Sequence, residues 1–440
     1  MPGRLGALRR ELPKRPWDLW DLLWTRPGRE RLWSAASWLA WPFLGTLASL
    51  RRCTVLRGTK VVAIVGSYGK TTTTRAVARA LGVEEPFGTR NSWSHLARKV
   101  LRHRAGHPLV IEVGISRPGQ MRAYTRMLRP DIVVVTSVGS EHRGSFTGRE
   151  NVQGEKAEMV RGLASGGVAI LHGDDRLVAG MATVAPGRVV SFGLGAKNDV
   201  RAEQVRLDWP RGTEFVLVGF GSRLAARVGL VGAHSLRAGL AAAAVAHELE
   251  VPPEVLVQRL AGLAPTPGRM QPVLLPSGAL LLRDDCKSGL ETIHAALAVL
   301  AEIPARRRIA ALGDVTEPEG PQRQVYRKFG GRAAHAAARI LYVGNKFGPF
   351  ASGAREAGLA RGALTDHADV HALAAALASE LREGDVVLLK GRTDQKFERV
   401  ALILSGRTVR CAIRSCHVRS FPCESCTLLE TGWGKRRQVT

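Results

Sequence analysis

Lys70 and Thr71 close the run VVAIVGSYGKTTTT (61–74), in which five aliphatic residues give way to Gly66, turn, and lead into a helix-forming stretch. A lysine placed there neutralises β- and γ-phosphate charge, and the adjacent threonine hydroxyl ligates Mg²⁺. Backbone N–H groups at such a helix start face an anion. The run therefore predicts a nucleoside-triphosphate site built from Gly66, Ser67, Tyr68, Gly69, Lys70, Thr71 and Thr72. The common phosphate loop has a glycine five residues before Gly69, where this chain has Ile64.

Three more residues fall at or soon after predicted strand ends, where α/β sheets carry their ligands. Glu112, in VIEVGIS, can hold Mg²⁺ beside the phosphate-loop strand; the plainer reading is a solvated strand-end acid. His142 follows a strand in VVVTSVGSEH and comes with Glu141 beside it, although a single histidine is usually structural. Lys156 lies in a helical stretch, NVQGEKAEM, where a solvated lysine would be unremarked in most proteins. Here only 12 of the 64 basic residues are lysines, so a retained lysine suggests chemistry that arginine cannot perform.

The 440 residues are long enough for two or three cores, and 45% apolar content with 5% aromatics suits Ala/Leu/Val-rich α/β domains. The net charge of +26 comes from scattered arginines rather than basic blocks, so no nucleic-acid partner is expected. No cleavable signal peptide is evident in the first residues, and a cytoplasmic body is expected. Leu32 to Leu50 is uncharged for 19 residues and rich in Trp. It reads as an ordinary packed segment, an interfacial helix in peripheral contact with a membrane, or a spanning helix weakened by Pro42 and Gly45. Cys411, Cys416, Cys423 and Cys426 could close a structural Zn²⁺ site, with free or redox-active thiols as the competing reading. Cys53 and Cys286 read as small buried residues.

Strands are predicted at 60–66, 108–113, 131–137 and 168–171, with helices between them. The 188–228 stretch alternates polar and apolar residues around Gly212 and Gly221, which suggests short antiparallel strands. An alanine-rich helix at 235–249 is followed by Pro265, Pro267 and Gly268, placing a boundary near Thr266. A second series then has strands at 279–283, 308–312, 339–343 and 385–389 and a helix at 290–300. The expected organisation is a Trp/Arg-rich front segment (1–58), a central ATP-binding domain (59–266), a C-terminal α/β domain (267–408) and a Cys-rich tail (409–440).

The ordered series GSYGKTT, EVG, SVGSEH, GEKAE, HGDD (172–175), GAHS (232–235) and GRM (268–270) resembles the Mur ligase family, over about residues 60–404. LGDVTE (312–317) and LLKGR (388–392) are most similar to its D-alanyl-D-alanine-adding branch. The resemblance implies an α/β protein with a central phosphate-loop parallel-sheet ATPase domain and a C-terminal Rossmann-like domain. It implies an ATP- and Mg²⁺-dependent acid–amine ligase that extends a peptidoglycan precursor. It would place Lys70 and Thr71 on the phosphates and Mg²⁺, Glu112 and His142 in the metal shell, and Lys156 as a carbamylated bridge to a second Mg²⁺. His234 and Arg269 would contact nucleotide and phosphate, Asp285 the ribose, and Lys287 the reacting phosphate. In that chemistry ATP converts a poorly acylating carboxylate to an acyl phosphate, which an amine attacks through a tetrahedral intermediate. Both steps build negative charge that metal ions and lysines offset.

The chain departs from the family at His172, Ser235 and Gly239, where asparagines are usual, and in CKSGLE (286–291), which is closer to the D-glutamate-adding branch. Its front segment is shorter than the family's domain for the UDP end of the precursor, which implies a substrate without UDP or a lipid-linked one. The competing class is a nucleotide-binding scaffold without turnover.

Overall fold

A computed structural model describes residues 32, 35–85, 91–140, 145–416, 422–426 and 428–432. Two sheets organise them. The first has eight strands: β1 (Val61–Val65), β2 (Leu109–Glu112), β3 (Ile132–Val135), β4 (Val168–His172), β5 (Arg188–Gly193), β6 (Val200–Asp208), β7 (Gly212–Gly219) and β8 (Ser222–Val228). Their order is β2-β1-β3-β4-β5-β6-β7-β8, parallel through β6 and antiparallel across β6-β7-β8. The second contains β9 (Gln271–Leu274), β10 (Leu280–Arg283), β11 (Arg307–Leu312), β12 (Arg339–Tyr342), β13 (Leu364–Asp366) and β14 (Asp385–Lys390). Its order is β13-β12-β11-β14-β10-β9, and only the β9–β10 pair is antiparallel.

The unbroken apolar runs of the central strands follow from burial on both faces. Along β1, Val62 and Ile64 enter one core, and Val61, Ala63 and Val65 enter the core on the other side. Leu282 and Leu281 divide the second sheet's two cores in the same way. Helices α1 (Trp41–Cys53), α2 (Lys70–Leu81), α3 (Ser94–Arg102), α4 (Gln120–Leu128), α5 (Arg149–Arg161), α6 (Arg176–Ala179), α7 (Ala233–Glu248), α8 (Pro253–Ala261) and α9 (Leu290–Glu302) surround or link the sheets. Small residues let α7 approach closely: a Cβ added at Gly239 would stand 3.2 Å from Val228 Cγ1. Gly239 thus faces the core rather than a ligand site.

The alternation in 188–228 misleads at its start. β5 runs parallel to β4, with Val168 opposite Arg188, and only β6 to β8 form the antiparallel meander. Val231, just after that meander, packs in the core of the second sheet, so the two sheets' units are in contact. The front helix α1 is fixed by Arg52, whose guanidinium donates to Leu128 O (2.8 Å), Leu56 O (2.6 Å), Arg129 O (3.0 Å) and Asp131 Oδ2 (3.0 Å). Among the described residues no helix is long and apolar enough to cross a membrane.

Candidate active site

The loop between β1 and α2 is shaped by close backbone approach. Gly66 has φ 150°, and a Cβ there would lie 1.9 Å from Thr136 Oγ1. Gly69 has φ 81° and begins α2, a conformation in which a side chain is strained. The β3 end closes the loop from the other side. Ser67 N–H donates to Ser137 O (2.9 Å), Tyr68 N–H to Ser137 Oγ (2.8 Å), and Thr136 Oγ1 to Tyr68 O (2.6 Å). Lys70 is buried, and its ammonium folds back onto Gly66 O (2.6 Å) and Ser67 O (2.9 Å). A buried cation against loop carbonyls, beside the first turn of a helix, fits phosphate.

Glu112 ends β2 and is 6% exposed, so it is not a solvated strand-end acid. Asn91 Nδ2 donates to its Oε1 at 2.6 Å, and Gly114 N–H returns to Asn91 O at 2.8 Å. Nearby Lys99 is pushed down by burial, and the Glu112 charge opposes that shift. Lys156 on α5 is 1% exposed, which removes the solvated-lysine reading. His142 and Glu141 lie outside the described residues. The donor set of Thr71, Glu112 and Lys156 suits a hard cation by chemistry, with oxygen ligands and a lysine able to become a carbamate.

A cleft of about 1050 Å³ opens between the sheets. The phosphate loop forms one wall, with His172, Asp174 and Arg237 beside it, and Arg269, Asp284, Lys287, Glu291 and Lys390 forming the other. His172 stacks on Phe192 (5.4 Å between centroids), and its Nε2 stands 3.7 Å from Asp174 Oδ2. Asp174 is itself engaged by Leu194 N–H (2.6 Å), Gly195 N–H (3.1 Å) and Asn198 Nδ2 (2.7 Å). Arg269 reaches Thr71 Oγ1 at 3.5 Å, linking the segment before β9 to the phosphate loop. Lys390, at the end of β14, forms a close ion pair with Asp284.

The paired aspartates divide differently from expectation. Asp285 is buried against Arg283, whose Nε lies 3.1 Å from Asp285 Oδ2, and is not in the cleft wall, whereas Asp284 is. Burial raises the Asp285 pKa, and Arg283 opposes it. Cys286 also lines the cleft rather than a core, and burial pushes its thiol up. Glu291, on the first turn of α9, was not singled out by sequence. Its Oε2 accepts from Tyr68 OH (3.1 Å), and its Oε1 accepts from Ser140 Oγ (2.9 Å) and Ser140 N–H (3.3 Å).

Two cleft imidazoles are held neutral. Burial pushes His234 down to about 4, with Asp284 opposing and Arg237 and Lys390 reinforcing the shift. Burial and Arg237 also lower His172. A histidine depressed in the fold takes up a proton first in the unfolded chain, so stability is present above about pH 6.5 and is lost as pH falls toward 4. The thermal midpoint is expected to fall between pH 7 and pH 5, and His234→Gln should flatten that slope. Scanning fluorimetry of both proteins across this range checks it, and equal slopes would refute a neutral, desolvated His234.

The zinc expectation finds no support among the described residues. Among the described residues no three His, Cys, Asp or Glu side chains gather closely enough to hold a metal ion, and the six cysteines are free. Arg399 takes the central place instead. It is 1% exposed and donates to Cys411 O (3.3 Å) and Ile413 O (2.6 Å). Burial pushes the neighbouring Cys423 thiol up to about 12. A buried guanidinium beside a thiol whose ionisation burial disfavours differs from a site built of thiolates around a dication.

Residues 64–246 match the family model for the Mur ligase middle domain, and residues 268–393 match that for the Mur ligase glutamate ligase domain. The UDP-N-acetylmuramoyl-tripeptide–D-alanyl-D-alanine ligase of Mycobacterium tuberculosis is 30% identical over 364 residues, covering 76% of this chain and 71% of that protein. The chain belongs to the Mur ligase family. Its fold is similar to MurF from Acinetobacter baumannii (TM-score 0.73, 24% identity, 83% of this chain and 80% of that one). It is also similar to the MurF ligase of Thermotoga maritima in complex with ADP (TM-score 0.71, 21% identity, 83% of each chain). As a Mur ligase it is an ATP-dependent, amide-forming enzyme of peptidoglycan synthesis.

Proposed function

We propose that this Mur ligase adds D-alanyl-D-alanine to the peptide of a peptidoglycan precursor. The identity with the M. tuberculosis enzyme supports that choice of acid and amine, extending through both matched domains. The observation that carries the mechanism is the cleft itself, with the phosphate loop on one wall and Arg269, Lys287 and the Asp284–Lys390 pair on the other. ATP with Mg²⁺ supplies the activated phosphoryl group and the counter-charge.

The chain's own residues have separable roles in this reading. The 66–72 loop, with Lys70, binds the phosphates, and Thr71, Glu112 and His142 would hold Mg²⁺. Lys156, as a carbamate, would offer oxygens to a second Mg²⁺. His234 and Arg269 orient the nucleotide. Asp285 meets the ribose after leaving Arg283, and Lys287 meets the charge that grows on the reacting phosphate. The boundary near Thr266 separates the ATP-binding domain from the C-terminal domain, which closes over the cleft and excludes water.

Purified protein incubated with ATP, a UDP-muramyl tripeptide and D-alanyl-D-alanine should release ADP only when acid and amine are both present. The product should carry the dipeptide by mass spectrometry. ADP release only with lipid-linked precursor would replace the acid in this reading, and release with another amine would replace D-alanyl-D-alanine. Absence of turnover across a panel of acids and amines would favour the scaffold.

A further inference from the structure

Helix α1 has two apolar faces, and only one of them is used. Trp41, Leu44 and Ala48 pack into the core beneath it, and Arg52 is buried in the hydrogen bonds described above. The opposite face exposes Leu39 (58%), Phe43 (68%), Leu47 (37%) and Leu50 (60%), with Val55 (56%) just beyond. The 39, 43, 47, 50 spacing places those side chains along one stripe. Residues 35–39 are also helical, and Ala40 N–H donates to Ala36 O and Leu44 N–H to Ala40 O (2.9 Å each), so the stripe runs across the turn at residue 40.

Surface helices ordinarily turn charge outward, yet residues 35–50 contain no charged residue at all. Charge around the stripe is mostly basic, with Asp131 paired to Arg52 and standing 4.0 Å from Lys60. No Asp or Glu occurs in 31–83 or in 86–111, a stretch that includes α1 and its packing partner α3. Arg57, Lys60, Arg102 and Arg104 are exposed at the ends of these elements. A second copy of this chain would bring the same positive rim and a net charge of +26 against it. A surface that is apolar within and anionic at its headgroups satisfies both features.

We propose that the outward face of residues 39–55 rests in the interface of an anionic membrane, with the helix lying along the surface rather than crossing it. This contact does not depend on the ligase reading, because vesicle binding requires no turnover.

The full chain should co-sediment with vesicles of about 30% phosphatidylglycerol in phosphatidylcholine at least about tenfold better than with phosphatidylcholine alone. High salt should release much of it. A Leu39→Ser, Phe43→Ser, Leu50→Ser protein should lose vesicle binding while keeping ATP-analogue binding. If that variant does not fold, Phe43→Ser and Leu50→Ser singly should each weaken binding to the anionic vesicles, and unchanged binding in both would overturn the proposal. Equal binding to neutral and anionic vesicles would overturn the proposal. So would no binding at all, whether the protein sediments as a dimer covering the stripe or as a monomer whose own leader covers it.

Discussion

Lys156→Ala is expected to lower turnover by at least about a thousandfold, the scale of losing a metal-bridging group in a charge-building reaction. Lys156 is 1% exposed on α5, so its chemistry is inside the protein. Carbon dioxide adds only to a neutral amine, a form open to lysine and closed to arginine. The amine nitrogen bonds to the carbon and releases a proton, and the carbamate so formed would offer two anionic oxygens to a metal ion. Arginine remains protonated and cannot make it, so Lys156→Arg should fail as completely as alanine. Wild-type activity should decline in buffer stripped of bicarbonate and return when bicarbonate is added, and neither variant should respond. ATP-analogue affinity should change little, because the 66–72 loop is built independently by β1, α2 and the β3 end. Full activity in the alanine variant, or a wild type indifferent to bicarbonate, would remove the carbamate.

The shape of the 66–72 loop was legible because its signals are local. Five aliphatics before Gly66 mark a strand covered on both faces, Gly66 leaves no room for a side chain, and Gly69 takes a backbone angle that strains one. Glu112 and Lys156 were legible as residue types at particular points of a βα series, and burial removes the solvated reading of each. What was not legible depends on distant partners. β9 and β13 have only four and three residues, too short for periodicity to declare. β5 carries the alternation of an antiparallel edge but pairs parallel with β4, since tertiary pairing and not pattern sets direction. The tail cysteines suggested a metal by spacing, yet the group that organises them is Arg399, outside the motif. Asp284 and Asp285 are adjacent and chemically identical, and only the positions of Lys390 and Arg283 tell which faces the cleft.

Glu291 is the clearest such case, and its removal carries the second large effect. An acid in the first turn of a helix ordinarily complements the helix dipole and is otherwise unremarkable. Here its carboxylate reaches from α9 to two loops of the first sheet, taking the Tyr68 hydroxyl of the phosphate loop and both donors of Ser140. The Tyr68 ring is closely seated: a Cβ at Gly139 would lie 2.3 Å from it, and one at Gly289 would lie 2.9 Å from its hydroxyl. Glu291 therefore acts as a positioning residue that holds the C-terminal domain, with Lys287 and Asp284, over the phosphate loop. Hydrogen bonds to a charged group contribute about 1.5–3 kcal/mol each, so Glu291→Ala should lower kcat/KM for the amine by about 10- to 100-fold. Nucleotide affinity should stay within about twofold, because the loop's own bonds persist. Glu291→Gln keeps an acceptor for Ser140 and should recover part of the loss. Tyr68→Phe should cost less than Glu291→Ala, and adding it to Glu291→Ala should cost less than it does alone, since the carboxylate it met is already gone. Additive effects of the two substitutions, or an alanine variant with unchanged kcat/KM for the amine, would show that the contact is incidental to closure.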